Sequence, residues 1–353
     1  MKVTCTSLDA AISDHGSTWR ILRNRCVGLD SPFFSPRFYQ AAQSVGRAVE
    51  VATVRDGDRV VAIWPFERSG ARAVPTIPSI CEITGAITEP DAHWDPKAVL
   101  AQCGAREWVY DCSPASQIAF QPHHIAQRLF PVIDLSDGWD AYQSELRSRG
   151  SSVIKQVNRK ARRIAREHVE PHFVFNDRNP VAIDRLVAWK REQYRRTGVR
   201  DVMQPDWFCG LIHQLHQTDT SDLSGLLSTL YLGDQPIAVH FGLRSENVLA
   251  WWFTSYDPAY AGHSPGNLLL VELMKAAAME GVRRIDLGQG DERYKGSFSN
   301  RSFAVAEGIV SQFPWNRLSR NAWVGVRDWA QTDPRCTSAL RLFRWLRHRS
   351  FSP

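Results

Sequence analysis

The chain has 353 residues, 43% of them hydrophobic and 10% aromatic, enough for two domains that each bury a core. A formal charge of +6 is too mild for bulk nucleic-acid binding, so no DNA partner is expected and anionic small molecules fit better. Seven cysteines without a C-x-x-C pair argue against a disulfide framework and a zinc site, and suit a reducing cytosol; no metal is expected. Met1–Gly16 lacks an apolar signal core, and no run approaches the roughly 18 apolar residues of a membrane span. A soluble, cytoplasmic protein is the expectation.

From the N-terminus, the first clear element is Val51–Phe66 (VATVRDGDRVVAIWPF), two β-rich runs around Asp56-Gly57 that read as a hairpin. Glu107–Asp111 (EWVYD) reads as a short strand carrying an Asp, after a segment ending in Gly-Ala-Arg. Both forms return. Ser228–Leu243 (STLYLGDQPIAVHFGL) is a hairpin around Gly233-Asp234, and Arg284–Gly288 (RIDLG) follows Gly-Val-Arg. Both correspondences are offset by roughly 175 residues, which points to a tandem duplication.

Between the repeats lies Ser151–Glu170 (SSVIKQVNRKARRIAREHVE). Ile154, Val157, Ala161, Ile164 and Ala165 recur at helical spacing, Lys155, Arg159, Arg162 and Arg166 line another face, and Ser151 or Ser152 can cap the start. Acidic residues are absent until Glu167, so pairing at i,i+4 does not account for the stripe. No aromatic residue interleaves with the cations, which weakens a nucleic-acid reading. Arg159 and Arg162 are therefore candidates for binding an anionic substrate, a solvated helix face being the plainer alternative. The next helix, Pro180–Thr197, has Asn179 as N-cap, Pro180 at its first position and Gly198 at its end. Within it Tyr194, with Trp189 and Gln193, is a candidate to line an acceptor cleft, although most such residues only pack.

Val248–Phe298 carries most of the chemistry. It reads as a strand (Val248–Tyr256), a Pro/Gly loop (Asp257–Gly266), a helix (Asn267–Gly281), a strand (Arg283–Leu287) and a Gly-rich exit. The small residues Ser264-Pro265-Gly266-Asn267 leave backbone N–H groups uncovered where a helix dipole points outward, which makes an anion site. The first repeat has His93–Gln102 (HWDPKAVLAQ) there instead and is expected to be degenerate as a cofactor site. Gly288-Gln289-Gly290 lacks the third glycine and following helix of a dinucleotide fingerprint. Asp286 and Asp291 are the candidate bases. Burial of Asp286 among apolar strand residues would raise its pKa, or the residue anchors the turn. His240 could face a cleft because strand neighbours alternate faces, a satisfied core histidine being the commoner fate. The tail, Trp315–Pro353, reads as two short amphipathic helices. In Ser338–Ser350, Leu340, Phe343, Trp345 and Leu346 are mixed with arginines, a pattern that can make a weak peripheral contact with an anionic membrane. Docking onto the domain is the plainer reading.

From about Trp139 to Val310 the chain resembles the acetyltransferase domain of the BioF2-like and cellulose-biosynthesis CelD-like GNAT proteins, relatives of the FemAB aminoacyl transferases. The resemblance is carried by the basic helix Lys155–Arg166, WKREQYRRTG (Trp189–Gly198), AVHFGL (Ala238–Leu243), SYDPAY (Ser255–Tyr260), HSPGNLLL (His263–Leu270) and above all IDLGQGDERYK (Ile285–Lys295). It implies an α/β (α+β) fold of tandem GNAT-like units, each a mixed twisted sheet flanked by helices, with a helical C-terminal tail. The expected division is 1–135 for a degenerate half, 136–314 for the acyltransferase half and 315–353 for the basic tail.

The resemblance also implies an acyl-CoA-dependent N- or O-acyltransferase. Acetyl-CoA or another acyl-CoA would be the co-substrate, without a prosthetic group. The acceptor would be an amine or hydroxyl of a sugar, polysaccharide or envelope precursor. In such folds the pantetheine arm lies between two splaying parallel strands, here Ala250–Ser255 and Arg284–Leu287, and backbone N–H groups of the first hold the oxyanion. A Tyr after the second strand commonly gives a proton to the thiolate, which points to Tyr294, a packing aromatic with a satisfied hydroxyl being the plainer alternative. Ser264, Gly266 and Asn267 would hold the pyrophosphate, with Trp252 beside the donor; Lys295 could pair with a phosphate, a solvated surface lysine being the commoner fate. The alternative is a FemAB-like transferase using aminoacyl-tRNA, the only reading with an RNA partner. The absence of a sustained heptad favours CoA.

Overall fold

The computed structural model describes residues 1–78, 80–290 and 293–332, and the chain forms two compact units. One is Met1–Leu129 together with the chain from Phe303 onward; the other is Phe130–Ser302.

The first unit begins with β1 (Lys2–Ser7), α1 (Leu8–Arg23), α2 (Pro36–Ser44), β2 (Val49–Asp56), β3 (Arg59–Ser69), β4 (Arg72–Val74), β5 (Ile87–Thr88), α3 (Pro96–Gln102) and β6 (Glu107–Pro114). Ser7 and Ser35 start α1 and α2 by accepting backbone N–H groups of the first turn. The Asp56-Gly57 hairpin forms as expected, with Asp56 opposite Arg59 and Gly57 at φ +59°. β1, β2, β3 and β4 lie side by side antiparallel, and β4 pairs parallel with β6. An aromatic core of Trp64, Trp94, Trp108, Tyr110 and Phe120 fills the unit, with Trp64 edge-on to Trp108 at 4.9 Å.

β7 (His124–Asp134) leads into the second unit, which contains α4 (Gly138–Ser148), α5 (Val153–Glu167), β8 (Pro171–Val174), α6 (Pro180–Thr197), α7 (Asp206–Gln217), β9 (Ser224–Leu232), β10 (Gln235–Arg244), β11 (Val248–Tyr256), α8 (Pro265–Met279), β12 (Arg284–Asp286) and α9 (Arg293–Phe298). Its sheet runs β7-β12-β11-β10-β9-β8, antiparallel except for the parallel β11–β12 pair. The succession β8-α6-α7-β9-β10, then α8-β12, repeats β1-α1-α2-β2-β3, then α3-β6. Both units thus carry the same GNAT-like plan. α4, α5 and α8 pack on the sheet through Leu146, Val157, Leu268 and Leu273 against Leu226, Leu230 and Trp251. α6 and α7 supply none of that cluster; Phe208 of α7 instead sits edge-on to Trp252.

The chain returns to the first unit through β13 (Arg301–Ser311) and α10 (Pro314–Thr332). β13 pairs antiparallel with β6, Val305 opposite Pro114 and Ser311 opposite Glu107. Glu307 of β13 has a side chain only 1% exposed; it accepts from Arg327 Nη1 of α10 at 2.7 Å and also pairs with Arg128. α10 therefore turns arginines inward and leaves Trp315, Leu318 and Trp329 exposed. The expected division differs here. Residues 303–314 belong with the first unit because of the β6–β13 ladder, and the start of the expected tail docks there through Glu307. The helix expected at Ser338–Ser350 lies outside the described residues. Among those described, no helix is long and apolar enough to cross a membrane.

Candidate active site

The expected anion-binding turn is built by a strand that ends, a short turn and a helix that starts without a cap. After β11, the Asp257 carboxylate accepts the Ala259 N–H at 2.9 Å and nucleates a 3₁₀ turn over Pro258–His263. Ser264 follows at φ +52°, one of two described non-glycine residues in the left-handed region, and Pro265 opens α8. A left-handed serine costs on the order of 1 kcal/mol, and such strain gathers at ligand clamps. The Ser264 side chain does not cap the helix; its Oγ accepts from Lys160 Nζ of α5. Over the first turn the space is open: a Cβ on Gly266 would meet Tyr256 only at 3.7 Å. Pro265 has no N–H and the Asn267 N–H donates to the Ser264 carbonyl at 3.0 Å, so the Gly266 N–H, the helix dipole and the Lys160 ammonium are what this turn can offer an anion. The equivalent start of α3 is closed, because the Asp95 carboxylate accepts the Lys97 N–H at 2.9 Å and puts a negative charge where the anion would sit. Lys160 escaped the sequence reading because its partner is remote in the chain; only its place in the KAR run hinted at it.

Beside this turn the sheet opens. β11 and β12 pair from Val248/Arg284 to Ala250/Asp286 and stop, while β11 continues to Tyr256, held on its other edge by β10. No described strand pairs with Trp251–Tyr256 on the β12 side. That free edge can add an extended ligand as a further strand.

His240 lies close to the point of divergence. It is fully buried and its ring stacks on Trp251 at 4.1 Å and 8°. Gly242 makes room: a Cβ there would stand 2.7 Å from the ring and 2.2 Å from the Ala250 carbonyl oxygen. Neither ring nitrogen has a hydrogen-bond partner of good geometry. Burial pushes the imidazole down to about 3, against a small opposing pull from the Ala250 carbonyl, so the ring is neutral.

The other candidates separate. Tyr294 is half-buried in α9 against the α5–α8 core, after Gly288 (φ +76°) and Gly290 (φ +125°) turn the chain out of the sheet. Asp286 is buried and receives two hydrogen bonds from Arg284, at 2.6 and 3.3 Å. An ion pair of this kind anchors the strand end, one of the two roles the sequence leaves open for Asp286. Lys295 is only 6% exposed and donates to the Gln289 carbonyl, so it holds the Gly-rich exit and does not stand ready for a phosphate. Trp252 packs among Phe208, Phe241 and Phe253 and is a core residue. Asp291 lies outside the described residues. Tyr194, a candidate to line an acceptor cleft, is on α6, outside the helix layer of α5, with Lys190 over its ring at 5.7 Å.

Arg159 and Arg162 do come together, joined by Arg166, on one wall of a cleft of about 700 Å³ between α5, β8, β9 and α8. Glu167, His168 and His263 bring possible metal-ligand atoms within 4.8 Å of one another. The two oxygens of Glu167 are already engaged, by Arg163 Nε at 2.6 Å and His263 Nε2 at 3.2 Å, and no metal is assigned there.

Residues 151–296 match the family described as an acetyltransferase (GNAT) domain, a span from the start of α5 into α9. The stretch of the second unit so matched is thus similar to a GNAT-type acetyltransferase domain. No curated protein matches the sequence. Among solved structures, FemX is similar with a TM-score of 0.58 and 9% identity, covering 91% of this chain and 99% of that one. The C-terminal domain (DUF2156) of a putative lysylphosphatidylglycerol synthetase from Agrobacterium fabrum is similar with a TM-score of 0.54 and 12% identity, covering 88% and 97%. At such identities the likeness is one of fold.

Proposed function

We propose that this chain is an acyl-CoA-dependent N- or O-acyltransferase of the BioF2-like and CelD-like kind. It transfers an acetyl group to an amine or hydroxyl of a sugar, polysaccharide or envelope precursor in the cytoplasm. The observation that carries this reading is the free edge of β11 leading from the uncapped start of α8. In it the CoA diphosphate lies over Ser264, Gly266 and Asn267 beside Lys160, and the pantetheine arm pairs along Trp251–Tyr256. The acceptor lone pair attacks the thioester carbonyl carbon, and N–H groups of that strand receive the developing oxyanion. The C–S bond then breaks, and the thiolate takes a proton from the Tyr294 hydroxyl. His240, with its pKa far below neutrality, is a poor base; as a neutral ring it can hydrogen-bond and orient a group at the divergence. The acceptor's proton goes to Asp291, the candidate carboxylate left after Asp286 is committed to Arg284.

Thermal unfolding with acetyl-CoA tests the donor. At 100 times the dissociation constant, binding should stabilise the protein by about 2.7 kcal/mol and raise its Tm accordingly. No shift with any CoA thioester, together with a clear shift by aminoacyl-tRNA, would overturn this reading in favour of a FemAB-like transferase, in which the arginines of α5 meet RNA phosphates.

A further inference from the structure

Arg159, Arg162 and Arg166 stand at i, i+3 and i+7 on α5, so they form a line about 10 Å long. All three are exposed, and none has a carboxylate partner among the described residues. Arg163, one step round the helix, is by contrast held by Glu167 at 2.6 Å. Like charges at helical spacing repel, so an uncompensated row weakens its own helix. The row forms one wall of the 700 Å³ cleft, a size that suits a small ligand. Its lining also includes the apolar Phe173, Leu230 and Leu268 and the carboxylates of Glu170 and Glu272. Glu272 is held by Lys275 at 2.7 Å.

We propose that this cleft binds a phosphorylated saccharide, the acceptor class of the transferase; in naming it an acceptor, the inference rests on the acyltransferase reading. The phosphate oxygens lie across the guanidinium groups, whose planar forks match them in pairs. The C–H face of the sugar covers Phe173 and Leu230, and its hydroxyl or amino groups reach the Glu170 and Glu272 carboxylates. Phosphate on a sugar 1-phosphate, on a sugar nucleotide and on CoA itself would meet the arginines alike, so the test must separate them.

Isothermal titration of the full chain with N-acetylglucosamine 1-phosphate, UDP-N-acetylglucosamine, N-acetylglucosamine and CoA does so. The proteins are the wild type, the double variant Arg159→Gln/Arg162→Gln, and Arg163→Gln as a control on the same helix. One or both phosphorylated sugars should bind and the free sugar should not. The double variant should weaken that binding by about 100-fold, roughly tenfold for each charge-assisted hydrogen bond lost. Arg163→Gln should leave it unchanged, and CoA affinity should stay within about twofold in both variants, with unaltered melting curves. If the wild type binds neither phosphorylated sugar, or the double variant binds them as well as the wild type, the proposal falls. It also falls if the double variant loses CoA alone, since the arginines would then serve the donor. Loss of CoA binding by the wild type with sugar-phosphate binding intact would instead remove the acyltransferase reading and leave the saccharide site standing.

Discussion

Replacing Gly242 by alanine tests whether the packing around His240 is as tight as it looks. The added Cβ would stand 2.2 Å from the Ala250 carbonyl oxygen and 2.7–2.8 Å from two atoms of the His240 ring, whereas ordinary contact begins near 3.4 Å. The ring could rotate away, but the carbonyl belongs to a residue paired with Leu243 on one side and Asp286 on the other. Relief therefore requires β10 and β11 to separate locally by roughly 1.2 Å, beside the point where β12 departs. Overpacking of this kind costs about 1–3 kcal/mol, and the backbone contact places it at the upper end. In a unit of this size 3 kcal/mol lowers Tm by about 6–12 °C. Gly233→Ala is the comparison: nothing lies within 4 Å of its Cβ, but its φ of +57° charges alanine about 1 kcal/mol for a left-handed backbone. Scanning calorimetry of the two variants should find Gly242→Ala the less stable by several degrees. A Gly242→Ala protein melting at or above Gly233→Ala would refute the packing argument.

Other substitutions read other parts of the molecule. Lys160→Met removes the ammonium beside the start of α8 and should weaken CoA binding about tenfold, read by titration; equal affinity would detach Lys160 from the donor site. Tyr294→Phe keeps the ring and should lower kcat by roughly 10²–10⁴-fold at nearly constant donor affinity; wild-type turnover would make it a packing residue. Burial alone would raise the Glu307 carboxyl, but Arg327 and Arg128 outweigh it and hold the group below the ordinary carboxylate range. Its contribution is complete above the unfolded value near about 4.3 and is lost as the pH falls through the lower folded value. Glu307→Gln should cost about 3 kcal/mol near neutrality and should flatten the acid limb of a Tm-against-pH curve; an unchanged acid limb would mean that other carboxylates set it.

Much of the second unit is legible in the sequence because local signals agree there. Asn179-Pro180 and Gly198 mark both ends of α6, and the hydrophobic spacing of α5 predicts which side it buries. The Asp56-Gly57 and Gly233-Asp234 turns place the two hairpins, since a tight turn leaves few alternatives. Side-chain roles are less legible, because they depend on partners far away in the chain. Asp286 is read from its apolar strand, and its ion pair with Arg284, two residues back on the same face, shows only in three dimensions. Lys295 and Trp252 look available in one dimension and are buried in three. The return of the chain to the first unit has no local signature at all: Glu307 is an ordinary strand residue until Arg128 and Arg327 converge on it.

That return has a consequence for biosynthesis. The first unit is discontinuous in sequence, with the second inserted between Leu129 and Phe303. A ribosome finishes the inserted unit while the earlier one still lacks β13 and α10. Until the chain reaches Arg301, β6 is paired only with the short β4, at Glu107 and Trp108, and its edge facing β13 is open; an open edge rich in buried residues is an invitation to pair with another chain. The part made first is thus the last to be completed, and fragments ending before β13 should be handled as aggregation-prone even though they contain the entire stretch similar to an acetyltransferase domain.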